Sequence, residues 1–473
     1  MRKQVLLNAL MGSLAFWAVG FMSVQPIRAA EDKSTELPAP SGSALQVQLE
    51  ISPARVLSSY EDWPEAGVHS FPWVYPYSRG RLFLTWNFDR DLCDGAQPDY
   101  PIGLVSDDGG ETWRRNTTMF PMGGPWKAGY VMHPYCIGGD EMVSFWEAFR
   151  VPDTKWTYKV PFWRSRDGGR SWSDTQWTEV EFPGVKGVNI YEPSDAYKKT
   201  GNWRHGFVPP QPPAYVLPFI EQCSPYRNSG LFPQVTDADG VIYSFANVVL
   251  NEDYFYPAVV LHTSADRGKS WRWMGVVAYD QEHSIPIGKS YEPSDVDCEH
   301  ENCFTEPSVV MYPDGEMVCV MRTGSFKPLY ITRSVDRGKT WEKPSRLNIR
   351  GVLPQLLLMS NGLVALATGR PGCTLHFSND RGRSWGGHIS FFEQCDSKDP
   401  KCKHHSGYPL HEDPNVPSRG MTSGNVASLV EVAPGKLLYV HDIERPLPEA
   451  DDPWIRAFGN GMVVARFITV KSP

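Results

Sequence analysis

The sequence predicts an all-β chain folded as a six-bladed β-propeller, and three observations carry that prediction. One octapeptide recurs five times, a Gly turn opening a short β-type run recurs six times, and no stretch shows a helical period long enough to compete.

The octapeptide copies are SDDGGETW (106–113), SRDGGRSW (165–172), SADRGKSW (264–271), SVDRGKTW (334–341) and SNDRGRSW (378–385). Each reads as a hairpin turn. Asp108, Asp167, Asp266, Asp336 and Asp380 supply carboxylates that accept hydrogen bonds from turn amides, and Gly110, Gly169, Gly268, Gly338 and Gly382 tolerate positive φ. Trp113, Trp172, Trp271, Trp341 and Trp385 then give each copy a large apolar plate for packing.

The second repeat runs out of step with the first. Gly80, Gly139, Gly240, Gly315, Gly362 and Gly435 each open an apolar run: RLFLTW, DEMVSFW, VIYSFANVV, EMVCVM, LVALAT and KLLYV. An octapeptide follows each of the first five, so every unit holds at least two hairpin-linked strands, as a propeller blade does. The sixth lacks the octapeptide and ends in Gly461–Val470, read as a final strand.

The flanks are read separately. Arg2 and Lys3, the apolar run Val5–Val24 and the small residues Ala29-Ala30 have the form of a removable export signal over residues 1–30, with a single uncleaved membrane anchor as the alternative. Residues 31–45 are polar and rich in Ser and Pro, a flexible leader, and residues 46–473 are expected to form the propeller. Export implies a secreted or periplasmic location. Segments 184–230 and 391–420 read as insertions that cover a face.

Composition narrows the partners. A net charge of −8 excludes a broad nucleic-acid-binding face, and after residue 30 no stretch is apolar enough to span a bilayer. Nine cysteines in an exported chain imply disulfides with at least one thiol left over, and the spacings Cys298–Cys303 and Cys395–Cys402 suit loop staples. Cys395, Cys402, His404, His405, His411, Glu412 and Asp413 include zinc-type ligands without a zinc spacing, so a disulfide with solvated histidines is the reading and no metal is expected.

Strand ends locate the chemistry. If the runs after the six glycines are the inner strands, the residues seven or eight positions on converge at one mouth of the channel. Those are Asn87, Glu147, Asn247, Arg322, Arg370 and Asp442, all polar or charged, as a site for a polar ligand requires. Solvent-exposed strand ends are the plain alternative. Trp156, Trp163, Trp203 and Trp454 could stack on sugars, although packing within or between blades suits most of them better.

The five octapeptides resemble the Asp-boxes of the sialidase superfamily, and the resemblance runs through most of residues 65–470. In that family the boxes are structural. The segment from Phe304-Thr305-Glu306-Pro307 to Arg322 is similar to the sialidase stretch in which a Glu followed by Pro precedes, by sixteen residues, an Arg that grips the substrate carboxylate. The resemblance implies that Glu306 is the base, Arg322 the central clamp and Arg370 a second clamp member, since a guanidinium binds a carboxylate bidentately and stays charged. A structural Glu306–Arg322 ion pair is the alternative. The family's general acid/base is a loop Asp in the first blade; of Asp89, Asp91, Asp94 and Asp99, Asp94 is chosen and Asp99 stands second.

The sequence departs from the family at two places. Ser70, in His69-Ser70-Phe71-Pro72, occupies the position of the first clamp Arg, and Asn425 stands where the nucleophilic Tyr is expected, which leaves Asn425 as a substrate-binding candidate only. Arg79, Arg81 or Arg90 are candidates to replace the clamp, and Tyr439 or Tyr408 to approach the site from elsewhere. Alternatively two carboxylates such as Glu306 and Asp94 act directly as acid and base.

These features imply a glycoside hydrolase that removes a terminal acidic sugar, sialic acid or uronic-acid-like, from a glycan, with no cofactor. Two other readings stay open: a carbohydrate-binding propeller without catalysis, and a propeller polysaccharide lyase.

Overall fold

The computed structural model describes residues 45, 47–66, 69–87, 103–117, 134–145, 149–150, 156–184, 234–248, 250, 257–285, 304–323, 327–369, 373–391, 427–445 and 460–471. Among them there are strands and short 3₁₀ turns but no α-helix, and no helix long and apolar enough to cross a membrane. The export signal, most of the leader, both insertions and the cysteines at 298, 303, 395 and 402 lie outside the described residues.

Six sheets make six blades. Strands β1 (Gln48–Ile51) and β2 (Arg55–Ser59) come first in the chain and belong to the last blade. Blade 1 is β3 (Ser70–Pro76), β4 (Leu82–Asn87), β5 (Leu104–Ser106) and β6 (Arg114–Arg115). Blade 2 is β7 (Tyr135–Gly138), β8 (Glu141–Phe145), the two-residue β9 (Phe149–Arg150), β10 (Thr157–Ser165) and β11 (Gln176–Glu181). Blade 3 is β12 (Gln234–Thr236), β13 (Ile242–Val248), β14 (Ala258–Ser264) and β15 (Arg272–Ala278). Blade 4 is β16 (Thr305–Met311), β17 (Met317–Arg322), β18 (Pro328–Ser334) and β19 (Ser345–Arg350). Blade 5 is β20 (Val352–Leu358), β21 (Val364–Gly369), β22 (Thr374–Ser378) and β23 (Gly386–Ser390). Blade 6 is β24 (Ala427–Ala433), β25 (Lys436–Arg445) and β26 (Asn460–Lys471), completed on its outer edge by β1 and β2.

All strand pairs within the blades are antiparallel, and the first strands of neighbouring blades contact one another. The runs that follow the Gly turns are therefore second strands. The expectation that they are the inner strands is corrected: the inner strand of each blade precedes its Gly turn.

The octapeptides form the turns between third and fourth strands. In the first, Ser106 Oγ donates to Asp108 Oδ1 (2.7 Å), Gly110 N donates to Ser106 Oγ (2.7 Å), and Thr112 N and its hydroxyl donate to the two oxygens of Asp108 (2.9 and 2.6 Å). The same Ser-to-Asp bond recurs at Asp167, Asp266, Asp336 and Asp380. Hydrogen bonds from the Thr112 and Thr340 hydroxyls and amides hold Asp108 and Asp336 down to about 2. Five turns serve six blades because the fourth strand of blade 6 comes from the front of the chain, so that blade has no such turn.

Each turn also reaches across a seam. Arg267, Arg337 and Arg381 follow the turn Asp in left-handed backbone (φ 63°, 58° and 62°), where the first two copies carry Gly109 and Gly168. Arg267 pairs with Glu141 of blade 2, Arg337 with Asp239 of blade 3 (3.2 Å), and Arg381 with Asp314 (2.6 Å) and Glu316 of blade 4. In the other direction Arg81 donates to Gly168 O (3.1 Å) and Arg333 to Gly382 O (2.6 Å). Ser360 N and Oγ bond Glu431 across the 5/6 seam, and Lys436 bonds Glu111 across the 6/1 seam (2.8 Å). All six seams are thus tied at the turn end of the propeller.

Between the blades the core is apolar and divides by seam. Val143, Phe145, Val160, Ile242 and Val260 fill the 2/3 seam, and Phe245, Leu261, Met317 and Cys319 the 3/4 seam. Leu45, Val47 and Leu49 pack on the cluster between blades 5 and 6. Burial also traps three imidazoles: it pushes His262 and His441 down to about 4, and burial together with neighbouring His388 pushes His376 to about 3.

Removing residues 44–59 strips the outer edge from β26 and leaves blade 6 with three strands. We expect this deletion to abolish the cooperative thermal transition, and an unchanged melt would contradict the role given to β1 and β2. The buried imidazoles set a second expectation. Their folded pKa values lie below the ordinary 6.5, so the unfolded chain binds their protons first. Stability is full above about pH 6.5 and falls as pH drops toward about 4; melting midpoints across that interval, compared with a His262→Gln variant of shallower slope, check it.

Candidate functional site

The turn end and the opposite mouth are fixed by register. Third-to-fourth and first-to-second turns share one end of each blade, so the starts of inner strands and the ends of second strands share the other. The pairs Ser70↔Asn87, Thr305↔Arg322 and Val352↔Gly369 mark this mouth in blades 1, 4 and 5.

The inner strands of those three blades begin alike. Each opens on a residue before proline (Phe71-Pro72, Glu306-Pro307, Leu353-Pro354), with a register shift in the ladder and a positive φ of 57°, 50° and 45° at the first member. A residue before proline normally sits in extended backbone, and left-handed backbone at a non-glycine costs about 1–3 kcal/mol, so the surroundings must hold these bulges. Carboxylates do so at two seams. Asp442 Oδ2 accepts from Phe71 N (3.1 Å) and Glu306 Oε2 accepts from Leu353 N (2.8 Å).

The alternation of the second strands explains which side chains face forward. Met317, Cys319 and Met321 pack toward blade 3 and Val318 and Val320 toward blade 5, so Arg322 faces blade 5. Leu438 and Val440 pack against blade 1, which turns Asp442 to blade 1; Tyr243 and Phe245 face blade 4, and with them Asn247. Three of the strand ends picked from the sequence therefore occupy the same position on the same face of their blades. Arg322 Nη1 meets Glu306 Oε1 at 2.5 Å, with the Arg322 side chain 20% and the Glu306 side chain 14% exposed, so the pair sits partly buried at the mouth end of β16 and β17. Asn247 and Asp442 are buried (3% and 0%) in the 3/4 and 6/1 seams.

Other candidates fall elsewhere. Arg81 is buried at the turn end, bonded to Asp107 and Gly168 O, and Tyr439 is buried in the 5/6 seam, where burial pushes its phenol well above the ordinary range. Neither reaches the mouth, which corrects the expectation that Arg81 replaces the missing clamp or that Tyr439 approaches the site. Trp163 packs in the 1/2 seam. Asp94, Asp99, Glu147, Arg370, Asn425, Arg90, Tyr408, Trp203, Trp454 and the 395–413 cluster lie outside the described residues, as do the side chains of Ser70, Arg79 and Asn87. Among the described residues no group of three or more His, Cys, Asp and Glu could hold a metal.

The structure adds residues that sequence reading passed over. His69, buried and in left-handed backbone (φ 54°), stacks on Trp86 with centroids 4.8 Å apart and shares a hydrogen bond with Ser58 Oγ of β2 (2.9 Å). Ser308 Oγ accepts from Leu356 N (2.8 Å), and Ser428 Oγ accepts from Val74 N (3.1 Å) while donating to Gln355 Oε1 (3.0 Å), so neighbouring inner strands are laced side by side. The X-Pro dipeptides were the available signal. His133-Pro134 and Phe232-Pro233 stand shortly before β7 and β12 in the sequence.

Because Asp442 is buried and bonded to an amide in strained backbone, Asp442→Ala should cost about 1–3 kcal/mol by leaving Phe71 N without that acceptor. Asp442→Asn keeps an oxygen there and should cost less. Urea unfolding of both variants measures the difference, and equal losses would refute the capping role.

Comparison with known proteins agrees with this architecture. Residues 232–410 match the BNR repeat-like domain, and residues 104–115 match the BNR/Asp-box repeat. None of the curated proteins matches the chain. Among solved structures, a protein of unknown function from Dyadobacter fermentans DSM 18053 is 16% identical, with 89% of this chain and 99% of that one covered and a TM-score of 0.52. The Hadza microbial sialidase Hz136 is 14% identical (79% of this chain, 64% of that one, TM-score 0.47), and the α-L-arabinofuranosidase Arb93A from Fusarium graminearum is also 14% identical (90% and 98%, TM-score 0.43). Such identities speak to fold alone. Five octapeptide turns on six blades are thus matched by the BNR repeat-like and BNR/Asp-box models over residues 232–410 and 104–115, and the chain is a BNR/Asp-box repeat-bearing propeller over those segments.

Proposed function

We propose that the chain is an exported glycoside hydrolase that removes a terminal acidic sugar from a glycan, with Arg322 as the anchor of the sugar carboxylate. The observation that carries this reading is the Arg322–Glu306 pair at the mouth, at the positions where the sialidase resemblance expects a clamp and a carboxylate. A guanidinium held at a partly buried mouth is suited to a carboxylate, because its planar fork matches the anion and its charge does not depend on working pH. Arg370 would be the second clamp member, and Asp94, with Asp99 next, the proton donor to the leaving oxygen. The organised strand ends around the pair support a site for a polar ligand, and the sugar hydrolases among structures of like fold are in keeping with a glycan.

A non-catalytic glycan-binding propeller is the second reading. It is favoured by the engagement of both Glu306 oxygens in bonds within the protein, and by Ser70 and Asn425 at family positions that otherwise hold Arg and Tyr.

The test is a screen of the chain from Glu31 onward against sialosides, glucuronides and neutral aryl glycosides. We expect release of an acidic sugar, and an Arg322→Ala variant at least roughly tenfold poorer in kcat/KM. Release from neutral glycosides alone would sink the acidic-sugar reading; binding without release would decide for the second.

A further inference from the structure

We infer that Glu306 is a positioning residue, which holds the guanidinium of Arg322 and the amide of Leu353 at once, and that it is not the proton acceptor of the site. Its two oxygens are divided between these partners: Oε1 lies 2.5 Å from Arg322 Nη1, and Oε2 accepts from Leu353 N at 2.8 Å. One bond is within blade 4 and the other crosses to blade 5. The carboxylate is therefore a brace across the 4/5 seam as well as the partner of Arg322.

Three features support this role. First, the side chain is aimed by its own backbone, since Glu306 sits at φ 50° in the bulge that opens β16. That conformation turns it along the seam toward Leu353. Second, Leu353 is itself left-handed (φ 45°), and the Glu306 bond is what holds its amide. Third, the fold uses a carboxylate in the same way at the 6/1 seam, where Asp442 holds the amide of Phe71. Asp442 is completely buried there. Capping the amide of an X-Pro bulge from the preceding blade is thus a structural use of a carboxylate in this molecule, and Glu306 shares it.

A general base must present an oxygen to the proton it abstracts and then carry that proton. Taking up a proton would remove the negative charge that orients Arg322 and weaken both bonds at the moment the ligand needs the clamp. Holding Arg322 requires the opposite, a carboxylate that stays charged.

The experiment has two arms. Hydrogen exchange at the Leu353 amide, read over residues 352–358, needs no ligand: Glu306→Ala should speed it about tenfold or more, while Arg322→Ala should leave it near the wild-type rate. Equal exchange in wild type and Glu306→Ala would overturn the inference. The second arm rests on the hydrolase reading and uses an aryl sialoside or glucuronide. Glu306→Gln should raise KM roughly tenfold and keep the acid limb of the kcat/KM profile; loss of that limb at unchanged KM would assign Glu306 the proton and overturn the inference. Absence of turnover in the wild type counts against the hydrolase reading alone, and the exchange arm then decides.

Discussion

The seam between blades is the constraint on which everything else in this propeller depends. A four-stranded blade cannot bury both of its faces alone, so each must pack on two neighbours and the ring must close. Closure here is by backbone hydrogen bonds: β1 and β2 pair along β26, residue against residue from Gln48↔Lys471 to Ser59↔Met462. Apolar clusters fill the seams, but such clusters are weakly directional. Polar ties set the register: the turn arginines and their acidic partners at one end, and the Asp442 and Glu306 carboxylates at the other.

Seen this way, the mouth and the turn end obey one rule. Left-handed backbone occurs at both, in Arg267, Arg337 and Arg381 at one and in Phe71, Glu306 and Leu353 at the other. At each end a charged group ties a blade to the next across the seam. The mouth differs because Arg322 pairs with Glu306 inside blade 4 while the same carboxylate also holds the Leu353 amide of blade 5. The proposed site thus uses a structural device already present elsewhere in the ring.

Much of the fold was legible in the sequence, for a physical reason. Octapeptide turns need a particular hydroxyl, carboxylate and glycine at fixed offsets, and each chemical demand leaves a letter: Ser106, Asp108 and Gly110 are one set of three. The Gly turns at 80, 240 and 435 were as clear, and Gly80, Gly240 and Gly435 take the positive φ that the reading required. Which strand lines the channel was not legible, because an inner strand and a second strand share the same apolar alternation. The proline after Phe71, Glu306 and Leu353 would have told them apart. Glu306 and Arg322 could be paired from the sequence by spacing, and their meeting at 2.5 Å follows from the antiparallel register of β16 and β17. Leu353 as partner to Glu306 could not be foreseen, because that bond crosses between blades and no local pattern encodes it.

The count of five octapeptides for six blades has a meaning beyond symmetry. Where the chain is interrupted, the outer hairpin is replaced by two segments far apart in sequence, and the turn that would join them is not needed. The interruption is therefore a property of connectivity and not of packing. A circularly permuted relative opened at another outer hairpin would keep the same ring while losing its octapeptide at the new opening and acquiring one in blade 6. In such proteins the missing motif would point to where the ends of the chain meet.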